Sequence, residues 1–305
     1  MKKIQNKITL SSVDDYNKLF GIETQHPLVS VVDLKKATKS VNHIVMTYGV
    51  YALFLKNGTN CTLKYGRREY DYQEGTIVSF SPGQIVGIDM EVEEFAPDVI
   101  GLLFHPDLIF DTPLGATIDK YSFFDYSQME ALHLSQEERE LFLDCLEKIK
   151  RETEHPVDRH SASLISSNIQ LLLDYLFRFY DRQFITRHRV NSDVVRKFEK
   201  SLQRYFDGEE CKSGLPSVAY FADQVNLSPG YFGDLVKKET GVNAKDFIAN
   251  YIIRIAKHRL LSSSDDVAII AYDLGFQYPQ HFTRLFKRII GQSPSEFRKT
   301  SFANN

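Results

Sequence analysis

Polar and basic side chains suited to binding a charged polymer cluster in the last hundred residues, in two sets. The first set is Ser228, Tyr231, Asp234, Lys237 and Lys238; the second is Gln280, His281, Thr283, Arg284, Lys287 and Arg288. Each follows a short apolar segment and a turn: Phe221-Ala222-Asp223-Gln224-Val225-Asn226-Leu227 before the first, Ile270-Ala271-Tyr272-Asp273-Leu274-Gly275-Phe276 before the second. The copies run 49 residues apart before the turn and 50 after it, so the second turn carries one extra residue. Amide, imidazole, hydroxyl and guanidinium groups read base edges, and lysines meet phosphates. A short helix, a tight turn and a second helix bearing such groups is the unit that enters a DNA major groove. Gln280 suits adenine and Arg284 guanine or phosphate, whereas Asp234 would face phosphate with the wrong charge unless it accepts from cytosine N4. Gly230 and Gly233 add no side chain to the first set. The second unit is therefore expected to dominate base reading, with the first positioning the protein through Lys237, Lys238 and Tyr231.

The elements that must hold these groups are legible from their neighbours. Ala222 and Ala271 are small enough for two helices to cross closely. Asn226 and Gly275 occupy the turns, where a left-handed backbone is expected and these residue types tolerate it. Phe232, Leu235 and Val236 in one copy, and Phe282, Leu285 and Phe286 in the other, form the expected buried faces. The basic pairs suit helix C-termini, and Gly241 and Gly291 fit the residue after the helix. Ala244 and Pro294, then Phe247 and Phe297, extend the parallel. A first helix is expected over residues 194–206, a polar loop over 207–214, and a helix over 244–261 between the two copies.

Residues 190–300 resemble the DNA-binding domain of AraC/XylS-family bacterial transcription regulators. The carriers are Leu227-Ser228-Pro229-Gly230-Tyr231-Phe232 with Lys237-Lys238-Glu239-Thr240-Gly241, then residues 270–276, His281-Phe282-Thr283-Arg284-Leu285-Phe286-Lys287, and Gly291-Gln292-Ser293-Pro294-Ser295-Glu296-Phe297-Arg298. The resemblance implies an all-helical domain of two lobes joined by a linker helix, with recognition helices in major-groove segments one DNA turn, ~34 Å, apart. It implies double-stranded operator DNA as partner, RNA polymerase as a further one, and activation as the sign of control.

The N-terminal half reads differently. Residues 28–110 are expected as short strands: a long run over 44–55 stopping at Asn57-Gly58, then 62–65, 69–72, 76–80, 86–90 and 98–104. Ser135 and Glu138 form a capping box that opens a helix to about residue 150. A longer helix follows over 159–183, and 186–189 reads as a linker. The resemblance implies a cupin-like β-barrel with dimerisation helices over residues 1–185, ahead of the DNA-binding domain over 186–305. The fold class expected is thus α+β. Ile165, Ile169, Leu172, Leu176 and Phe179 make a stripe at steps of three and four. It is expected either to pack on its own barrel or to belong to a homodimer interface, because flanking Leu171, Leu173, Tyr175, Phe177 and Tyr180 give more apolar surface than one buried face needs. Tyr48, Tyr51, Phe54, Arg67, Phe80 and Phe104 are candidates to line a lumen for a small-molecule effector, or simply to fill the barrel.

Bulk composition bounds these readings. With 305 residues and 43% hydrophobic content the chain supports two folded domains. Net charge is -3, but residues 191–305 carry +3 and residues 1–190 carry -6, so the basic end is the one expected to meet phosphate. Cys61, Cys145 and Cys211 are odd in number and far apart, which suits free thiols rather than a disulfide framework or zinc site. His43 and His105 stand alone in the strand region, so no metal or cofactor is expected. A cupin-type small-molecule enzyme or binding module with an accessory helical domain is the alternative, and it lacks a clustered ligand set or nucleophile arrangement. With no signal peptide and no membrane-length apolar run, the expected location is the cytoplasm.

Overall fold

A computed structural model of the chain describes residues 6–39, 41, 44–56, 75–88, 98–127, 130–186 and 188–303. The chain divides into two compact units, Met1–Thr186 and Arg187–Asn305. The expected strands at 62–65 and 69–72, the Asn57-Gly58 turn, Cys61, His43 and Arg67 lie outside the described residues.

The first unit is mixed α+β. Strands β1 (Asn6–Leu10), β3 (Ile44–Tyr48) and β6 (Ile85–Ile88) form one sheet in the order β1-β3-β6. Strands β2 (Val29–Asp33), β4 (Tyr51–Lys56), β5 (Thr76–Phe80), β7 (Val99–Phe104) and β8 (Leu132–His133) form a second in the order β2-β7-β4-β5-β8. Among the described residues these are two open sheets, not a closed barrel. The expected single strand over 44–55 is two strands in different sheets. The corner is at Gly49, whose N–H donates to Leu10 O at 2.8 Å and where a Cβ would stand 2.8 Å from the same oxygen. A nearly unbroken apolar run carries no signal for such a corner.

A strand and a helix precede the expected sheet. Helix α1 (Val13–Phe20) is opened by a capping box between Ser12 and Asp15 and closed by Gly21 at φ 66°. It buries Tyr16 and Phe20 in the core that both sheets share. Helix α2 is the single turn Pro106–Ile109; α3 spans Gln136–Glu154 and α4 spans Ser161–Thr186. The Ser135–Glu138 capping box is formed, and Glu138 takes a further load: Arg182 of α4 donates to it at 2.6 and 2.9 Å and to His133 O at 2.7 Å. Arg182→Ala would leave a mostly buried carboxylate short of donors. It is expected to lower the stability of this unit by roughly 1–3 kcal/mol, read as faster hydrogen exchange in α3 and α4.

The stripe assigned to a dimer interface lies inside the protomer. Ile165, Ile169, Leu172 and Leu176 are 0% exposed and Phe179 is 4% exposed. Helix α4 packs on α3, so packing within the protomer is what this stripe does, and a second copy cannot reach it. A stripe buried at home and one buried by a partner have the same period.

The second unit is helical. Helix α5 (His188–Asp207) begins well before the expected residue 194, and α4 reaches Thr186, so the expected linker over 186–189 is helical on both sides of residue 187. Next come α6 (Val218–Gln224), α7 (Pro229–Thr240), α8 (Ala244–Ser262), α9 (Val267–Asp273), α10 (Pro279–Ile290) and α11 (Pro294–Ala303). One core joins them, from Phe198 and Leu202 of α5 through Phe232, Ile252 and Ala256 to Phe282 and Phe286.

Candidate nucleic-acid interface

Each copy of the repeat builds the same local geometry. Ser217 caps α6 by accepting from Tyr220 N at 3.1 Å, and Asp266 caps α9 by accepting from Ala268 N at 3.1 Å. After each first helix the chain turns through a left-handed residue, Asn226 at φ 57° and Gly275 at φ 86°. Leu227 N then donates to Ala222 O at 3.0 Å, and Phe276 N donates to Ala271 O at the same distance. Ala222 and Ala271 are fully buried, which lets the second helix of each pair cross closely. Proline sits at the start of both α7 and α10, where its missing N–H costs nothing. Both second helices end in a left-handed glycine whose N–H returns to the helix at 2.9 Å: Gly241 to Lys237 O, Gly291 to Lys287 O.

Helix α10 turns Phe282 and Phe286 inward, both 0% exposed. Phe282 meets Phe276 with ring centroids 5.4 Å apart, and Phe286 meets Phe297 of α11 at 5.5 Å. That packing fixes the opposite face. Gln280, His281, Arg284, Lys287 and Arg288 are exposed, at relative positions 0, 1, 4, 7 and 8 of one helix. At 1.5 Å per residue this row is roughly 12 Å long, the width of a major groove. Thr283 is half-buried, and its hydroxyl donates back to Pro279 O at 3.1 Å, which leaves it an acceptor toward a ligand. Lys287 and Arg288 occupy the last turn, where the helix dipole favours cations.

Helix α7 presents a thinner face. Lys237 and Lys238 are exposed at its C-terminal end, and Gly230, Gly233 and Asp234 are half-buried. Ser228 is the N-cap, accepting from Tyr231 N at 3.2 Å. Tyr231 does not belong to the outer face assigned to it. It is 5% exposed and shares a helix face with buried Leu235, one helical turn further on. The i, i+4 spacing of these two residues was the available signal. Sequence reasoning also passed over Gln277 and Tyr278, which are exposed at the start of α10 beside Gln280 and His281. They fall in the one-residue-longer second turn, which places them next to the reading face.

The five described candidate effector residues do not share one face of the sheets, and the sixth, Arg67, lies outside the described residues. Tyr48, Phe54 and Phe80 are buried between the two sheets, with Tyr48 and Phe80 stacked at 5.0 Å and Tyr16 of α1 on Phe54 at 5.7 Å. Burial pushes the Tyr48 hydroxyl far above the usual phenol range. Tyr51 and Phe104 lie on the other face of β4 and β7, against Phe124. These five side chains pack against neighbouring aromatic rings, the alternative in which they fill the interior. An open cavity of about 560 Å³ in this unit lies elsewhere, among the described residues Val31, Ile100, Leu143 and Leu146, and none of the five described candidates lines it. Among the described residues no group of three or more His, Cys, Asp or Glu is placed to hold a metal ion.

Residues 221–300 match the family model described as a helix-turn-helix domain. This segment is an AraC-type helix-turn-helix domain. The AraC-type domain is 32% identical over 81 residues to the arabinose operon regulatory protein of Escherichia coli (strain K12), covering 27% of this chain and 28% of that protein. The HTH-type transcriptional activator RhaS of Salmonella paratyphi A is 26% identical over 147 residues, 48% of this chain and 50% of that protein. Among solved structures, the C-terminal domain of AraT, a response regulator from Geobacillus stearothermophilus, is 25% identical with a TM-score of 0.32 and covers 35% of this chain and 84% of that chain. The chain spans between 10% and 50% of the length of these and other curated relatives it matches. No helix among the described residues is long and apolar enough to cross a membrane.

Proposed function

We propose that the chain is a sequence-specific, DNA-binding transcription regulator that activates its targets. The observation that carries this is the exposed row Gln280, His281, Arg284, Lys287 and Arg288 on α10, held outward by buried Phe282 and Phe286 and repeated in weaker form on α7. The two helices would enter successive major-groove segments from one side of the duplex, α10 reading bases and α7 anchoring through Lys237 and Lys238 to phosphates. Activation is the sign taken because a relative, RhaS, is named an activator. The test is selection of fragmented genomic DNA by the purified chain at about 0.15 M salt, followed by sequencing. A shared motif among retained fragments supports the reading; retention without any shared motif overturns it.

The first unit is taken as a cupin-like double sheet serving dimerisation, a reading supported by its two facing sheets around one core. The dimer surface moves from the buried stripe to its exposed neighbour on α4. Leu164, Leu171 and Ile185 are 48%, 42% and 74% exposed and fall on one seven-residue spacing, interrupted by exposed Arg178. The wild-type chain is expected to sediment as a dimer, and Leu171→Glu combined with Ile185→Glu is expected to give monomer. A monomeric wild type, or a dimer that survives both charges, contradicts this assignment.

A further inference from the structure

The two turns of the repeat differ in what lies against them. Asn226, in the first, is exposed. Gly275, in the second, is buried beneath the segment that joins α5 to α6: a Cβ there would stand 2.5 Å from both Cys211 O and Gly214 O. Those carbonyls are themselves held. Cys211, 4% exposed, donates its thiol to Gly208 O at 3.2 Å, and Gly214 N donates to Cys211 O at 3.2 Å. Gly214 O also accepts from the Tyr205 hydroxyl at 2.9 Å. Tyr205 belongs to the first lobe, where its ring packs on Tyr220 at 5.3 Å and Phe221 at 6.1 Å, both in α6. A continuous chain of contacts therefore runs from the first helix-turn-helix through Tyr205 and Gly214 to the turn of the second.

We propose that residues 207–214 are a strap that sets the separation of the two recognition helices, with Gly275 as its positioning residue. The strap thereby selects the spacing between the two groove segments the protein accepts. This rests on the DNA-binding reading above. A second tie runs along α8, where Arg259 pairs with Asp273 at the end of α9 at 3.1 Å. That tie holds α9 to the linker helix, and the strap bears on the turn leading into α10. A methyl group at position 275 must retreat by about an ångström from two backbone carbonyls to reach ordinary contact near 3.5 Å. Its φ of 86° also disfavours any side chain. The turn and α10 would move together. Asn226 meets no such demand, which accounts for a side chain being kept at that turn and not at the other.

Two variants of the full chain test this: Gly275→Ala, and insertion of Gly-Ser between Gly208 and Glu209, which lengthens the strap without altering either helix-turn-helix. Spin labels carried by non-cysteine residues at positions 237 and 288 report the distance between α7 and α10 without DNA. The wild-type distance distribution is expected to be single and narrow, and both variants are expected to broaden or displace it. On the genomic fragment selected by the wild type, adding or removing one base pair between the two protected segments should cost the wild type about tenfold or more in affinity. The insertion variant should reduce that penalty to less than about threefold. A wild-type distance distribution in both variants, an unchanged spacing penalty, or an insertion variant that no longer folds by circular dichroism overturns the proposal. Absence of any paired footprint for the wild type defeats the DNA-binding reading instead, and the distance measurement still decides the strap.

Discussion

Phe282→Ala is expected to remove about 3–5 kcal/mol from the second unit, the range for truncating a fully buried phenylalanine. Domains of this size are held by only about 5–15 kcal/mol, so the loss is a large part of the whole. Phe282 is 0% exposed and its ring lies 5.4 Å from Phe276 and 5.8 Å from Phe286. Phe276 is the residue just after the Gly275 turn, so the cavity would open at the joint between α9 and α10. No tryptophan is present to report unfolding. Hydrogen exchange of the α9 and α10 amides is the appropriate readout: exchange there should accelerate by two orders of magnitude or more, roughly the factor that 3 kcal/mol implies. The variant should also bind DNA poorly while keeping every outward-facing side chain. Unchanged protection of α10 would mean that the helix is not held by this core.

Arg284→Ala tests the reading face without touching the core. It is expected to weaken specific binding by ~1–3 kcal/mol, roughly 5- to 150-fold in Kd, and to relax preference at one base position. Asp234→Ala, the corresponding outward position on α7, should change specific binding by less than about twofold. The asymmetry follows from the two faces: α10 exposes five polar or charged side chains over two turns, while α7 offers two half-buried glycines and a carboxylate ahead of its terminal lysines. A footprint titration in which both substitutions cost the same would contradict the ranking of the two helices.

The helical repeat was legible because its backbone demands leave marks in residue type. A left-handed turn selects asparagine or glycine, and a left-handed helix end selects glycine; Asn226, Gly275, Gly241 and Gly291 all occupy such positions. The first unit offered fewer marks. Strand β4 is buried on nearly every residue and β3 on alternate ones, yet both are built of apolar types, so residues 44–55 read as one run although the chain changes sheets at Gly49. The helix at Val13–Phe20 did carry a signal, the Ser12 to Asp15 capping box, which the strand-led reading passed over. Aromatic residues at alternate strand positions do not say which side is core. Tyr48 and Phe80 fell between the sheets while Tyr51 and Phe104 fell on the opposite face, so the described candidates do not line one space together. The strap against Gly275 had no local signature, because a contact between residues about sixty apart is set by tertiary packing alone.

Hydroxyl-radical footprinting of the full chain on a genomic fragment it selects shows whether two helices grip the duplex. Two protected patches are expected on one face of the DNA, centred about 10–10.5 base pairs apart, with the patch weakened by Arg284→Ala being the one covered by α10. A single patch, or uniform protection that follows salt concentration but not sequence, would contradict that grip.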